Sequence, residues 1–155
     1  MFPQKPLIID FNIALAKAAK YCAYQERCHW DIEKKLKEWN VDLEIHDEII
    51  AELIQQGYLN EERFTIAYTQ GKVNIKRWGR NKIVYELKRR NIPEYSINKA
   101  LGMIDEEKYL VNLQTLIALK IDSISGKSDF ERKGKLVNYL VSKGYETEII
   151  YNNID

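Results

Sequence analysis

The densest concentration of chemically capable side chains in this 155-residue chain is cationic. From Lys72 to Arg90 the charged residues are Lys72, Lys76, Arg77, Arg80, Lys82, Lys88, Arg89 and Arg90, against Glu86 alone. Trp78 lies between Arg77 and Arg80 and offers a flat apolar surface amid that charge. Such a set suits phosphates or an acidic protein groove. Glu86 stands four residues from both Lys82 and Arg90, so helix-surface pairing accounts for part of the cluster. One carboxylate cannot neutralise eight cations, and partner binding is the stronger reading. The preceding stretch has the opposite sign: Asp42, Glu44, Asp47, Glu48, Glu52, Glu61 and Glu62 run almost without a base. The net charge of +1 hides this segregation. An internal pairing of the two stretches is the competing arrangement.

Other reactive residues lack the context that catalysis needs. Gly126-Lys127-Ser128 has the ending of a phosphate-binding loop, but that loop needs a glycine five positions earlier and a strand before it. Ile121 stands there, within a helical pattern. Cys22, Cys28, His29 and His46 are the only soft metal ligands. They lack the paired spacing of a zinc site. Cys22 falls on an apolar helical stripe, where a thiol behaves as a small hydrophobe. His29 and His46 are expected to be exposed. No histidine adjoins a serine or thiol in a recognisable elbow. Asp47-Glu48 and Glu61-Glu62 sit at helix starts, where the helix dipole favours negative charge. No catalytic, cofactor-binding or metal-binding residue is assigned, and the protein is expected not to be an enzyme.

The elements that carry these residues follow from a repeat. Ile83, Leu87 and Ile92 are spaced by four and then five residues, with Asn91 at the helix end. The same spacing recurs at Ile32, Leu36 and Val41 after Asn40, and at Leu136, Leu140 and Tyr145 after Gly144. Asn and Gly tolerate the left-handed conformation that closes a helix. A second helix follows each time, marked by Ile49 and Leu53, by Ile97 and Leu101, and by Ile150 and Ile154. The first of these comes three residues late. Each unit opens with another helix, whose apolar stripe is Leu15, Ala18, Ala19 and Cys22 in the first and Phe64, Ala67 and Tyr68 in the second. In the third it is Leu110, Leu113, Leu116 and Ile117, on a helix starting near Asp105 and ending in the loop Ser123–Ser128. The fold class expected is all-α: three tandem three-helix repeats forming an elongated, curved array. The repeats occupy residues 1–57 (with a short N-terminal extension), 58–104 (the basic one) and 105–155. Three short helices cannot bury an apolar face alone, so stacked neighbours supply the core.

Composition agrees. Hydrophobic residues make up 45% and charged residues 30%, enough apolar surface for a core. Three prolines and seven glycines are too few for a turn-rich β protein. No segment approaches the roughly 18 apolar residues of a membrane helix, and the start Met1–Asp10 has no signal-peptide pattern. Two cysteines make no disulfide framework, so a cytoplasmic protein with reduced thiols, a monomer without a membrane partner, is expected.

Gly57-Tyr58-Leu59-Asn60-Glu61-Glu62-Arg63-Phe64 followed by Ala67-Tyr68 is the most specific stretch. With Gly79, Ile83, Glu86-Leu87, Arg90-Asn91-Ile92, Ile97 and Ala100-Leu101, and with Lys143-Gly144-Tyr145 and Ile150, it resembles the RecX family of bacterial regulators of the RecA recombinase, across nearly the whole chain. The resemblance implies three tandem three-helix units. It also implies a partner, the RecA filament on single-stranded DNA, whose groove such proteins occupy while inhibiting ATP hydrolysis and strand exchange. The partner-binding residues expected are Lys72, Lys76, Arg77, Trp78, Arg80, Lys82, Lys88, Arg89 and Arg90. Cys28 stands where the family has Ser or Thr, with Asp31 retaining the acid of the capping box. A helical module that binds nucleic acid directly is the alternative, and an adaptor for another acidic protein the third reading.

Overall fold

The computed structural model of the protein describes residues 5–154. Met1–Gln4, assigned to the first repeat, and Asp155, assigned to the third, lie outside the described residues. Among those described there are nine α-helices and no strand, so the protein is an all-helical repeat protein. The helices are α1 (Phe11–Tyr24), α2 (His29–Glu38), α3 (His46–Gln55), α4 (Glu61–Asn74), α5 (Arg80–Arg89), α6 (Glu94–Leu101), α7 (Glu106–Ile121), α8 (Asp129–Ser142) and α9 (Thr147–Asn153). No helix is long and apolar enough to cross a membrane.

The four-then-five spacing is a helix followed by a Schellman turn. The four-residue step joins two core positions one turn apart, Ile32 and Leu36 in α2, both fully buried. The five-residue step crosses the cap. Asn40 takes φ 58, its N–H donates to Lys37 O at 3.0 Å, and Val41 N–H donates to Leu36 O at 2.9 Å. Gly144 (φ 101) closes α8 the same way, with Tyr145 N–H donating to Leu140 O at 3.2 Å. Asn91 takes φ 60 after α5. The late start of α3 has a physical cause. Leu43–Ile45 form one 3-10 turn, capped by Asp42, whose carboxylate accepts from Glu44 N–H at 3.3 Å.

By packing, the chain divides into two compact units, one reaching to Ala67 and including Arg90–Ile92, the other made of Tyr68–Arg89 and the chain from Pro93 onward. In the first, Ala14, Ala18 and Cys22 of α1 pack with Ile32, Leu36, Val41, Ile49, Leu53 and Leu59. The small residues of α1 let its backbone approach α3 closely. In the second unit Ile83, Leu87, Leu113, Leu140 and Ile150 are fully buried, along with Tyr109 and Tyr145 at 0% and 1% exposure.

Several local expectations change. Leu110 is 37% exposed and Tyr109 takes the core position in α7. In α4 Ala67 is exposed, while Phe64, Thr65 and Thr69 are buried. Thr65 can sit inside because its hydroxyl donates to Glu61 O at 2.6 Å. His46 is buried rather than exposed, at 3%, with Nδ1 3.1 Å from Glu33 Oε2 and Nε2 2.9 Å from Val41 O. Both ring nitrogens find partners, which lets the imidazole be buried. The helix-start readings hold: Asn60 accepts from Arg63 N–H at 3.0 Å, and Asp31 accepts from Cys28 N–H at 3.1 Å.

Candidate partner-binding surface

The basic residues are carried by the end of α4, the link after it and α5. At Asn74 the helix stops. Arg77 takes φ 53, and Trp78 N–H turns back to Lys72 O at 3.0 Å. That turn brings the Trp78 ring between two ammonium groups, Lys72 Nζ 4.7 Å and Lys82 Nζ 4.5 Å from its centre. Tyr68 meets Trp78 edge-on at 6.5 Å, with Lys72 Nζ also 5.2 Å from the Tyr68 ring. So Lys72, Trp78 and Lys82, spread over eleven residues of sequence, form one cluster. Around it Ile75 (76% exposed), Lys76 and Arg77 are open to solvent. Along α5, Tyr85 (64% exposed), Lys88 and Arg89 are exposed as well. Arg89 Nη1 lies 3.9 Å from Glu86 Oε1, a pairing of little energetic weight on a solvated helix face.

Arg80 and Arg90 are placed differently. Arg90 belongs to the first unit, with its guanidinium carbon 5.3 Å from the centre of the Trp30 ring. Arg80 points inward, its side chain 18% exposed, with Nη1 2.8 Å from Glu146 Oε2 and Nη2 hydrogen-bonded to Glu106. Its guanidinium also lies 4.0 Å over the Tyr109 ring. Burial opposes the charge on Arg80, but the bonds to Glu106 and Glu146 outweigh it and hold the proton more firmly than usual.

Backbone hydrogen bonds lock this joint. Gly79 N–H donates to Lys143 O at 2.8 Å, and Asn81 N–H donates to Gly144 O at 2.9 Å. The start of α5 thus rests on the turn between α8 and α9. A Cβ at Gly79 would lie 2.2 Å from the Gly144 carbonyl carbon, and a Cβ at Gly144 would lie 2.5 Å from Lys82 Cβ. Only glycines permit that approach. The Tyr109 hydroxyl accepts from Arg80 N–H at 2.9 Å and donates to Glu146, and the Tyr145 hydroxyl donates to Arg77 O at 3.0 Å. Burial, reinforced by Glu146, pushes the Tyr109 hydroxyl well above the usual phenol range, and burial raises Tyr145 to about 12. Both phenols therefore stay neutral donors. The site residues divide into an exposed set and an inward-facing anchor.

Counting charge along the chain overlooks a second cationic surface, in the first unit. Lys17 and Lys35 lie 5.0 and 5.9 Å from the Trp39 ring, and Arg27 stacks 3.6 Å over Tyr21. The signal available in the sequence is the helical spacing of Lys17, Lys20, Tyr21 and Tyr24. Neither surface pairs a nucleophile with a base. Cys22 and Cys28 are buried, and burial raises their thiols to about 11 and about 12. Among the described residues no three His, Cys, Asp or Glu side chains are grouped to hold a metal ion.

Comparison with known proteins gives one consistent result. Residues 60–101 match the family model for RecX, second three-helix domain, and residues 106–152 that for RecX, third three-helix domain. The chain is 31% identical over 137 residues to the regulatory protein RecX of Bacillus cereus (strain B4264), covering 88% of this chain and 51% of that protein. The same figures hold for the regulatory protein RecX of Bacillus thuringiensis (strain Al Hakam). The chain therefore spans about half the length of the curated relatives it matches. Two crystal structures share the fold. One, of a regulatory protein RecX, has TM-score 0.82 and 23% identity and covers 92% of this chain and 70% of its own. The other, RecX from Lactobacillus salivarius, has TM-score 0.76 and 22% identity and covers 92% and 93%.

Proposed function

Since this chain belongs to the RecX family of regulatory proteins, we propose that it is a non-catalytic regulator that binds the RecA filament on single-stranded DNA and inhibits its ATPase and strand-exchange activities. It acts in the cytoplasm as a monomer, through the repeats at 1–57, 58–104 and 105–155. The observation that carries the reading is the cluster of Lys72, Trp78 and Lys82, with Lys76 and Arg77 exposed on the link beside it and Lys88 and Arg89 exposed farther along α5. A nucleoprotein groove presents phosphates and carboxylates, and this surface complements both. Arg80 contributes by holding the start of α5, from which Lys82, Lys88 and Arg89 project, and Arg90 by its stacking on Trp30.

Direct binding to nucleic acid is the reading to be separated from this one. Fluorescence anisotropy of a labelled oligothymidylate, naked and then coated with RecA in a non-hydrolysable nucleotide, distinguishes them. Filament binding at concentrations where naked DNA is unbound supports the proposal. Equal affinity for both, with a steep salt dependence, favours the nucleic-acid module. The triple variant Lys76→Glu, Lys88→Glu, Arg89→Glu changes only exposed residues. It is expected to remain folded and to lose filament binding, and undiminished binding would remove the surface from the proposal.

A further inference from the structure

The first unit holds a surface that the filament-binding reading does not use. In α1 the residues Lys17, Lys20, Tyr21 and Tyr24 recur at three and four, so they share one face. That face is distinct from the core stripe of Ala14, Ala18 and Cys22. The helix carries no carboxylate among its fourteen residues. Tyr24 is 84% exposed, and Lys17 and Lys20 are exposed on the same face. Beyond Tyr21, α2 supplies Lys35, whose Nζ lies 5.4 Å from the Tyr21 ring, and its capping residue Trp39, edge-on to Tyr21 at 5.9 Å.

Three carboxylates of the same stretch are engaged away from this face. Glu26 Oε1 accepts from Arg63 Nε at 2.6 Å, Asp31 accepts the Cys28 N–H, and Glu33 meets buried His46. Glu38 pairs with a lysine of the face, Lys35, at 3.2 Å. What reads along the sequence as mixed charge is sorted in space into acids held by their own partners and cations gathered at aromatic rings. Arg27 is fixed in this arrangement. Its Nε donates to Tyr21 O at 3.1 Å, and its guanidinium lies 3.6 Å from the Tyr21 ring centre and 6.0 Å from that of Tyr24.

We propose that the α1 face formed by Lys17, Lys20 and Tyr24 beside the Arg27–Tyr21 stack is a binding platform for single-stranded nucleic acid, separate from the basic surface of α5. Lysines a turn apart suit successive phosphates, and an open ring beside a fixed guanidinium suits an unstacked base. A base paired in a duplex has no free face for Tyr24. An acidic peptide would use the lysines and leave the ring without a role. These differences select single strands.

The test uses the full chain and naked DNA, so its outcome is independent of any recombinase. Anisotropy of a labelled twenty-nucleotide oligothymidylate is titrated with wild type, with Tyr24→Ala and with Lys17→Glu/Lys20→Glu, each checked for helicity by circular dichroism. None of the three positions belongs to the core, so folding is expected to survive. Tyr24→Ala should weaken binding by about 5- to 150-fold, the range of one base–aromatic stack, with its salt slope unchanged. The double lysine variant should weaken binding and lower the log–log salt slope by about 0.7 for each phosphate it no longer neutralises. Retained affinity in both variants would overturn the proposal. So would equal competition by a duplex of the same length, which points to a phosphate surface alone, or by polyglutamate, which points to an acidic protein.

Discussion

Replacing Gly79 with alanine adds one methyl group where the structure has no room for it. The new Cβ would stand 2.2 Å from the Gly144 carbonyl carbon, 2.3 Å from Tyr145 N and 2.4 Å from Gly144 O. All three are backbone atoms, so no side-chain rotation relieves the clash. Ordinary van der Waals separation begins near 3.4 Å, and the start of α5 must therefore withdraw from the α8–α9 turn by about 1.2 Å. The hydrogen bonds from Gly79 to Lys143 and from Asn81 to Gly144, now 2.8 and 2.9 Å, would stretch to about 4 Å and break. Two backbone pairs left unmade at a buried position cost about 1–3 kcal/mol each. The Tyr145 bond to Arg77 O loosens with them. A net loss of about 3–5 kcal/mol is expected, a large share of the roughly 5–15 kcal/mol that holds a domain together. Urea unfolding followed by far-ultraviolet circular dichroism measures it, alongside a fall in melting temperature of about 10 °C. Gly79→Ala combined with Gly144→Ala should cost less than the separate losses added together, because the first substitution already opens the joint. A Gly79→Ala protein within about 1 kcal/mol of wild type would refute the reasoning, since it would mean the close approach contributes nothing.

Tyr109→Phe removes the hydroxyl that joins Arg80 N–H to Glu146, and a loss of about 1–2 kcal/mol is expected in the same unfolding assay. Arg80→Ala should lower the urea midpoint, by about 2 kcal/mol in stability, whereas Lys88→Ala on the exposed side of α5 should leave it unchanged. Asn91→Val forces a β-branched residue into φ 60 and should cost about 1–2 kcal/mol, while Asn91→Gly should match or exceed wild type. Stability should also fall in alkali. Burial raises Cys22 from 9.0 to about 11 and Cys28 from 9.0 to about 12, so the unfolded chain releases these protons first. The two thiols therefore leave stability nearly unchanged up to pH 8 and, because the thiolate is favoured only in the unfolded chain, lower it progressively as pH climbs toward 11–12, by about 3 kcal/mol at pH 10. Equal urea midpoints at pH 8 and pH 10 would contradict it.

The repeat was legible because its spacing expresses cap geometry. Ile32, Leu36 and Val41 stand at four and five because a Schellman turn places the residue after Asn40 over the core, and Leu136, Leu140 and Tyr145 obey the same rule. Hydrophobicity counted alone misjudged the first helices of the repeats. Thr65 and Thr69 enter the core while Ala67 faces water, and Tyr109 displaces Leu110, because a tyrosine whose hydroxyl has partners at both Arg80 and Glu146 can be buried entirely. The charge run from Lys72 to Arg90 located the basic surface but could not sort it. Whether Arg80 faces solvent depends on Glu106 and Glu146, which lie 26 and 66 residues away. The α1 face stayed hidden for the converse reason: its neighbouring carboxylates are taken up by partners such as Arg63 and His46 that no window of adjacent residues contains.

The central claim is that this chain restrains a recombinase filament. The most direct measurement is single-stranded-DNA-dependent ATP hydrolysis by the cognate RecA, with the protein titrated upward from far below stoichiometric amounts. Progressive inhibition is expected, and the variant Lys76→Glu, Lys88→Glu, Arg89→Glu should inhibit much less. Undiminished hydrolysis at a stoichiometric excess of folded protein over intact filament would contradict the account and leave the helical repeat fold without the filament as its partner.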